Sequence, residues 1–166
     1  LNLLAKDLNM PLEPEEAAAA LARAEVVNID LGEVNGEVFA CQSVLGMPNQ
    51  VGRHREHSRR QRSWPARLRL IMGFLRIMGH PPLRLALSEP GRPGLRRVWV
   101  RALSVVNNPY DEAPGTMFRR PRLDRGELAV YRARGFGLLW SARMLAAMAL
   151  GRWRDPRWLE ITQLPA

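Results

Sequence analysis

A two-residue turn, Asn35-Gly36, is the feature that most constrains the fold of this chain. Apolar and polar residues alternate on both sides of it, in segments 26–34 and 37–45. Asn-Gly between alternating segments is the strongest short signal for a β-hairpin, because both residues accept the positive φ angles of a type I′ turn. The sequence therefore predicts two antiparallel strands, each with one buried face. Asp30 lies on the polar side of this pattern, and we expect its carboxylate to be solvated.

Further strands and helices follow from the periodicity of the rest of the chain. Alternating or β-branched runs predict strands over 83–88, 95–106, 128–131 and 158–164. Amphipathic or high-propensity segments predict helices over 1–8, 14–24, 64–78 and 136–150. The second of these begins at Pro14, a favoured first helical residue. Together these elements indicate an α+β fold with mainly antiparallel strands.

A polar loop rich in arginine joins the strands that end and begin near Val106 and Leu128. Loops of this kind carry binding residues on rigid scaffolds, so the loop is a candidate binding edge. An ordinary long hairpin connection remains the alternative. Its turn formers and the three arginines that follow them are Asn107, Asn108, Pro109, Gly115, Arg119, Arg120 and Arg122.

The charge of the chain favours an anionic partner. The formal net charge is +9, and Lys6 is the only lysine among the basic residues. The planar guanidinium of arginine suits phosphate and carboxylate oxygens, so a nucleotide, a nucleic acid or an acidic membrane surface would fit. The single cysteine, Cys41, excludes an internal disulfide. The most apolar run, 136–150, is shorter than the roughly 20 residues that cross a bilayer.

Two other segments could contact anions or membranes. The densest basic run, 53–62, is either a basic flap over headgroups or phosphates, or a solvated lead-in to the next helix. His54 and His57 within it lack a third metal ligand. The helix 136–150 could pack in the core or lie on a membrane.

The motifs of the chain resemble those of the bacterial diacylglycerol kinase-like lipid kinases. Two of them flank the arginine-rich loop, and others cover the first helix and the Asn-Gly hairpin. The matching residues are Val105, Asn107, Asn108 and Tyr110 for V-x-N-N-x-Y; Arg120, Leu123, Asp124, Gly126 and Leu128 for R-x-x-L-D-x-G-x-L; Leu1, Asn2, Ala5, Asp7 and Leu8 for the helix; and Asp30, Gly32, Asn35, Gly36 and Phe39 for the hairpin.

This resemblance implies the carboxy-terminal region of such a kinase. The expected fold is an α+β, mainly antiparallel β-sandwich with two longer inserted helices and short amino-terminal helices. Residues 1–24 would be the junction with a missing amino-terminal nucleotide-binding domain, and 25–166 the β-sandwich domain. The parent protein would use ATP and Mg²⁺ to phosphorylate a diacylglycerol-like lipid hydroxyl. No cofactor is expected to bind tightly to these 166 residues alone.

The resemblance also assigns roles to individual residues. Asn2 would lie beside the nucleotide phosphates. The substrate side would be formed by Asn107, Asn108, Arg119, Arg120 and Arg122. We expect the structural magnesium site of the family to be lost, because Arg125 stands where many members have a second aspartate, and a cation cannot ligate Mg²⁺. Asp124 and the backbone carbonyls near Arg122 and Glu127 are the remaining candidate ligands.

Two motifs of the family do not occur in the sequence. These are the G-G-D-G-T phosphate-binding motif and the D-G-E turn, whose glutamate is proposed as general base. We therefore expect the 166 residues to be inactive alone. The resemblance implies that the parent is a cytoplasmic enzyme, peripheral to the membrane. A non-catalytic module that binds lipid or anionic membrane is the alternative. No nucleic-acid-binding motif is recognisable, and a homodimer stays open.

Overall fold

The computed structural model describes residues 3–47, 49–50, 52, 68, 72–73, 76, 81–89, 92–111, 113, 116, 118–133, 135, 137–152 and 159–165. The basic run 53–62, with His54 and His57, lies outside the described residues. Most of the helix expected over 64–78 lies outside them as well.

Three helices are described: α1 (Leu3–Asp7), α2 (Pro14–Leu21) and α3 (Leu138–Ala149). Pro14 occupies the start of α2, with Glu15 and Glu16 in its first turn, as the sequence predicts. Helix α1 has only five residues. A helix this short is not stable by itself, so its position depends on contacts with the rest of the chain.

The Asn-Gly hairpin forms between β1 (Gly32–Val34) and β2 (Glu37–Phe39). Asn35 and Gly36 have φ angles of 53° and 81°, as a type I′ turn requires. Both strands are shorter than expected. Residues 24–31 are outside regular secondary structure, and the strand expected over 37–45 is broken at 40–41, so that 42–46 joins another sheet. The expected buried faces are not formed, because Val34 and Val38 are exposed. The ring of Phe39 occupies the space where a side chain at residue 32 would lie, which explains the glycine there.

Four antiparallel strands form the main sheet, in the order β3–β6–β7–β8. They are β3 (Gln42–Gly46), β6 (Ala102–Asn107), β7 (Glu127–Ala133) and β8 (Leu159–Pro165). Strands β4 (Leu83–Glu89) and β5 (Arg92–Val100) form a separate two-stranded hairpin.

The single strand expected over 95–106 is therefore wrong: the chain forms two strands there, and they belong to different sheets. Arg101 lies between β5 and β6, and its carbonyl oxygen accepts a hydrogen bond from the amide of Met47 at 2.7 Å. At this point, which we call the crossing, the chain passes from the hairpin to the main sheet, and the bond to Met47 replaces a hydrogen bond to a neighbouring strand. Both strands carry apolar β-patterns and no turn residue separates them, so the pattern could not locate the break.

Both faces of the main sheet bury apolar side chains. One face packs against α3 and a loop tyrosine, and its core comprises Val106, Tyr110, Ala129, Tyr131, Met144 and Leu159. The other face packs against the β4–β5 hairpin through Val98, Val100 and Leu103, with Leu85, Leu87, Val105 and Val130 at the margin. Successive residues of β6 and β7 alternate between these two cores, as the pleat of a strand requires.

The α+β class and the mainly antiparallel strands are confirmed. The expected β-sandwich is not confirmed: a two-stranded hairpin lies against one face of the sheet, and the sheets do not close on each other. Within the described part of the chain, no helix is long and apolar enough to cross a membrane.

Replacing Gly46 with alanine is expected to destabilise the crossing at Arg101. Gly46 has a φ of 83°, and an added methyl group would overlap the carbonyl oxygen of Arg101. Strained φ angles and a forced backbone shift together cost about 2 kcal/mol. Urea unfolding should report this loss. Gly36→Ala is the matched control, because Gly36 also has a positive φ but has open space around it. An equal loss of stability in both variants would show that overlap with the Arg101 carbonyl oxygen contributes nothing beyond backbone strain.

Candidate functional site

Two asparagines end strand β6 inside the protein. Asn107 is 3% exposed and Asn108 is fully buried. Asn108 has a φ of 64°, a left-handed conformation that asparagine accepts more readily than most residues. The backbone amide of Asn107 donates to the backbone carbonyl oxygen of Cys41, and the backbone amide of Asn108 donates to the backbone carbonyl oxygen of Glu127. The strand thus ends in a fixed, dehydrated turn.

Asp30 connects this turn to the loop before β7. Its carboxylate oxygen Oδ2 accepts hydrogen bonds from Asn108 Nδ2 at 3.1 Å and from the amide of Gly126 at 2.6 Å. Asn107 Nδ2 donates to the backbone oxygen of Asp30, and the amide of Asp30 donates to the carbonyl oxygen of Leu123 at 2.7 Å. Asp30 is half-buried. The expectation that its carboxylate is solvated is nevertheless wrong, because both its side chain and its backbone bond to other segments.

Arg120 forms a buried ion pair with Asp7 at the end of α1. The guanidinium and carboxylate approach to 2.7 Å, and the two side chains are 1% and 0% exposed. Arg120 Nε donates to one carboxylate oxygen of Asp7 at 2.8 Å, and the amide of Arg120 donates to the other at 2.9 Å. Both oxygens of the carboxylate are therefore satisfied by one residue.

The remaining donors of Arg120 reach the strands. Its NH1 group donates to the carbonyl oxygens of Ala40 and Asn107, both at 2.8 Å, and NH2 lies 3.4 Å from the sulfur of Cys41. A buried guanidinium is tolerated only when its donors are satisfied and its charge is compensated. Arg120 therefore ties together α1, the link from β2 to β3, and the end of β6. We call Asp7, Asp30, Asn107, Asn108 and Arg120 the buried polar network.

Tyr110 continues the core beside this network. Its hydroxyl donates to Gln42 Oε1 at 2.7 Å, and its amide donates to the hydroxyl of Tyr131 at 3.0 Å. The Tyr110 ring packs against Tyr131 and edge-on against Phe118. Burial raises the pKa of Tyr110 well above its ordinary value of 10.0, so its hydroxyl is protonated at neutral pH.

Two arginines of the same loop are exposed at the surface. Arg119 donates to Asn9 Oδ1 at 2.6 Å, just beyond α1. Arg122 donates to both carboxylate oxygens of Asp124, at 3.0 and 3.1 Å. The hydrogen bond from Arg122 lowers the pKa of Asp124, and that bond raises the pKa of Arg122. Both arginines are accessible beside the buried polar network.

A shallow cleft of about 100 Å³ lies between the β4–β5 hairpin and the main sheet. Its walls are largely aliphatic, and an ion pair of Arg132 with Glu160 stands at its side. Pockets that enclose drug-sized ligands occupy about 300–1,000 Å³. The cleft is therefore too small to enclose a lipid with two acyl chains. Its lining residues are Leu87, Ser88, Leu103, Val130, Arg132, Glu160, Thr162 and Leu164.

Comparison with solved structures identifies the fold. The crystal structure of a proposed diacylglycerol kinase from Bacillus anthracis strain Sterne covers 98% of this chain, with 15% identity and a TM-score of 0.61. The crystal structure of a diacylglycerol kinase from the same strain also covers 98% of it, with 13% identity and a TM-score of 0.50. This chain has the fold of part of a diacylglycerol kinase. It spans 51% and 49% of those two chains.

The resemblance predicted from the motifs is thus confirmed at the level of the fold. No protein-family model matches the chain. In the diacylglycerol-kinase-like fold, all four quoted motifs meet in one place: Asp7 of the helix motif, Asp30 of the hairpin motif, Asn107 and Asn108 of V-x-N-N-x-Y, and Arg120 of R-x-x-L-D-x-G-x-L. The short motifs therefore describe one spatial unit.

The structure separates the predicted substrate residues into two groups. Asn107, Asn108 and Arg120 are buried, and their side-chain groups bond within the protein. Arg119 and Arg122 are exposed. A substrate-binding role stays a prediction for all five, but the buried three are placed to hold the loop and the exposed two to meet an anion. Asn2 lies outside the described residues.

Asp124 does not fit a magnesium site in this fold. Arg122 occupies both of its oxygens, and Arg125 adds a second positive charge beside it. Magnesium requires several oxygen ligands and is repelled by cations. The described residues also contain no group of three acidic, histidine or cysteine side chains that could hold a metal ion.

Sequence reasoning missed Asp7 and Asp30 as parts of the site. Asp30 follows a polar–apolar alternation that is equally typical of a solvated residue, and its partners Asn108 and Gly126 lie 78 and 96 residues away along the chain. The short motifs themselves were the available signal, because each polar residue that proved buried belongs to one of them.

Proposed function

We propose that this chain is part of an ATP-dependent lipid kinase that phosphorylates the hydroxyl of a diacylglycerol-like lipid. One observation carries the proposal: the chain has a fold similar to that of proteins named as diacylglycerol kinases. The meeting of the motifs in the buried polar network supports it. Because the chain spans about half of those structures, the proposal concerns the whole protein, and these residues alone would be inactive.

The residues of this chain would act by positioning and by charge. Phosphoryl transfer depends mainly on aligning the acceptor oxygen with the γ-phosphoryl group and on stabilising its charge. Arg119 and Arg122 offer exposed guanidinium groups to a nucleotide phosphate or to the phosphorylated product. ATP with Mg²⁺ would supply the transferred group and its charge compensation. Asn2, next to α1 in sequence, is proposed beside the phosphates.

The buried polar network would fix the distance between these groups. Arg120 holds α1 through Asp7, and Arg119 contacts Asn9 just after that helix. The helix that follows Asn2 and the arginine loop are therefore joined by direct contacts. We assign Asp7, Asp30, Asn107, Asn108 and Arg120 as positioning residues, which act through the groups they hold.

The test is a lipid phosphorylation assay on the complete gene product, with ATP, Mg²⁺ and dispersed diacylglycerol. Labelled phosphate should appear in the lipid and depend on all three components. Absence of transfer to every diacylglycerol and other lipid hydroxyl tested would reject the kinase proposal. A protein that binds lipid vesicles but transfers no phosphate would instead be the lipid- or membrane-binding module.

Replacing Arg119 or Arg122 with glutamine is expected to lower kcat/KM in this assay by about tenfold each, because a charge-assisted contact to phosphate is lost. Arg143→Gln is the matched control: it removes the same charge from an exposed position on α3 and should leave kcat/KM unchanged. Unaltered kcat/KM in both loop variants would remove these arginines from the substrate side. Thermal unfolding should confirm that all three variants are folded.

Peripheral association with a membrane, cytoplasmic localisation and the absence of a nucleic-acid partner are part of the same proposal. The arginine excess together with a lipid substrate supports the membrane association. The absence of a nucleic-acid partner rests on the lack of a recognisable nucleic-acid-binding motif. A homodimer remains open, and sedimentation analysis of the complete protein would decide it.

A further inference from the structure

The β4–β5 hairpin has two chemically different faces. Leu85, Leu87 and Val98 point to the main sheet and pack in its second core. Successive side chains of a strand point to opposite sides, so Arg84 and Trp99 lie on the other face. Both are exposed, and no further layer covers that face among the described residues. We call this face, with Arg84, Leu95, Arg97 and Trp99, the outer hairpin face.

A tryptophan and an arginine are stacked at the centre of the outer hairpin face. Arg84 and Trp99 are directly opposite each other in the strand register, and the guanidinium carbon lies 4.1 Å from the ring centroid. The Trp99 residue is nevertheless 54% exposed. Such a cation–π contact contributes to hairpin stability, but it does not account for the apolar and basic neighbours on the same face.

Those neighbours extend the same chemistry. Leu95 is 72% exposed, and Arg97, paired with Ala86, adds a second exposed cation. Glu89, the last residue of β4 and the strand partner of Arg92, is the one acidic residue of the two hairpin strands. The acidic neighbour of Arg96, Glu160, belongs to the main sheet on the inner side of the hairpin. The outer hairpin face therefore combines exposed apolar groups with two arginines, Arg84 and Arg97, that form no ion pair with a described residue.

We propose that the outer hairpin face docks on an anionic lipid bilayer. Tryptophan is favoured at the level of the lipid headgroups, where its ring is apolar and its N–H is polar. Arg84 and Arg97 would contact lipid phosphates, and each basic group near an anionic surface strengthens binding. The cleft beside the hairpin is too small to enclose a two-chain lipid.

The role of this docking surface rests on the proposed function, because a kinase for diacylglycerol must meet its substrate at a membrane. It differs from the two surfaces that the sequence suggested, the basic run 53–62 and the helix 136–150. The exposed positions Leu139 and Arg143 on α3 belong to the second of these. Variants on α3 can therefore distinguish docking through the outer hairpin face from docking through this helix.

The experiment measures binding to vesicles of phosphatidylcholine with phosphatidylglycerol, without ATP. The protein should co-sediment with them, and much less with phosphatidylcholine alone. The double variant Arg84→Gln/Arg97→Gln should bind about ten- to thirtyfold more weakly. The matched control Arg143→Gln/Arg152→Gln removes two exposed charges elsewhere and should bind like the unchanged protein.

A second readout follows Trp99 itself. Brominated lipids should quench the tryptophan fluorescence of the unchanged protein more than that of the Trp99→Phe variant, because the ring of Trp99 would lie among the headgroups. Failure of the unchanged protein to bind anionic vesicles would overturn the proposal. Equal weakening in the two double variants, or binding to DNA but not to vesicles, would overturn it too. Unfolding temperatures matched to the unchanged protein would exclude misfolding as the cause of weaker binding.

The outcome can be separated from that of the kinase proposal. A short-chain diacylglycerol dispersed in solution needs no docking, so the Arg84→Gln/Arg97→Gln protein should phosphorylate it normally within the complete gene product. Vesicle binding without phosphorylation of any lipid would reject the kinase and keep the docking surface. Phosphorylation of a lipid without vesicle binding would reject the docking surface and keep the kinase proposal.

Discussion

Replacing Arg120 with methionine is expected to lower the free energy of unfolding by about 3–5 kcal/mol, because it leaves the carboxylate of Asp7 buried without its partner. The variant also leaves the carbonyl oxygens of Ala40 and Asn107 without this donor. Urea unfolding of the unchanged and variant proteins should report the loss as a lower midpoint.

The neighbouring Arg119 gives the matched control for this prediction. Its side chain is exposed and donates to Asn9 at the surface, so Arg119→Met should change the midpoint little. The double variant Asp7→Leu/Arg120→Met should be more stable than Arg120→Met alone, because no uncompensated buried charge remains. A midpoint for Arg120→Met as high as that for Arg119→Met would contradict the buried ion pair.

Replacing Asp30 with alanine is expected to cost about 2–4 kcal/mol. The change removes the acceptor of two hydrogen bonds, one from Asn108 Nδ2 and one from the amide of Gly126. A donor left unsatisfied in the interior costs about 1–3 kcal/mol. The loss should appear in urea unfolding, and hydrogen exchange at Gly126 should accelerate.

Asp124→Ala is the control for the Asp30 variant. Asp124 belongs to the loop that Asp30 holds, but it is exposed, and the exposed Arg122 is its side-chain partner. Surface ion pairs contribute little to stability, so we expect no measurable shift in its unfolding midpoint. If Asp124→Ala were as damaging as Asp30→Ala, the loop would be held by the surface pair.

Local signals in the sequence predicted local structure well. The turn at Asn35-Gly36 and the start of α2 at Pro14 follow from the φ preferences of single residues, and the structure has both. The crossing at Arg101 was not predictable in this way, because a carbonyl bonded to Met47 from another segment creates it.

The candidate site depended on distant partners and was only partly predictable. Arginines in a polar loop are normally solvated, and apart from the place of Arg120 in a motif, nothing local distinguishes the buried Arg120 from the exposed Arg119 and Arg122. The division between 1–24 and 25–166 stays a prediction. The ion pair from Asp7 to Arg120 shows, however, that the first segment is joined tightly to the second.

The separation of Asp7 and Arg120 along the chain has a consequence for synthesis on the ribosome. The two residues are 113 positions apart, and Asp30 is 96 positions from Gly126. Strand β3 likewise waits for β6 to pair with it. The first third of the chain must therefore remain incompletely ordered while the middle is translated, and contacts of such long range slow folding. During that interval Asp7 is hydrated, and the amino-terminal segments are exposed to chaperones and proteases.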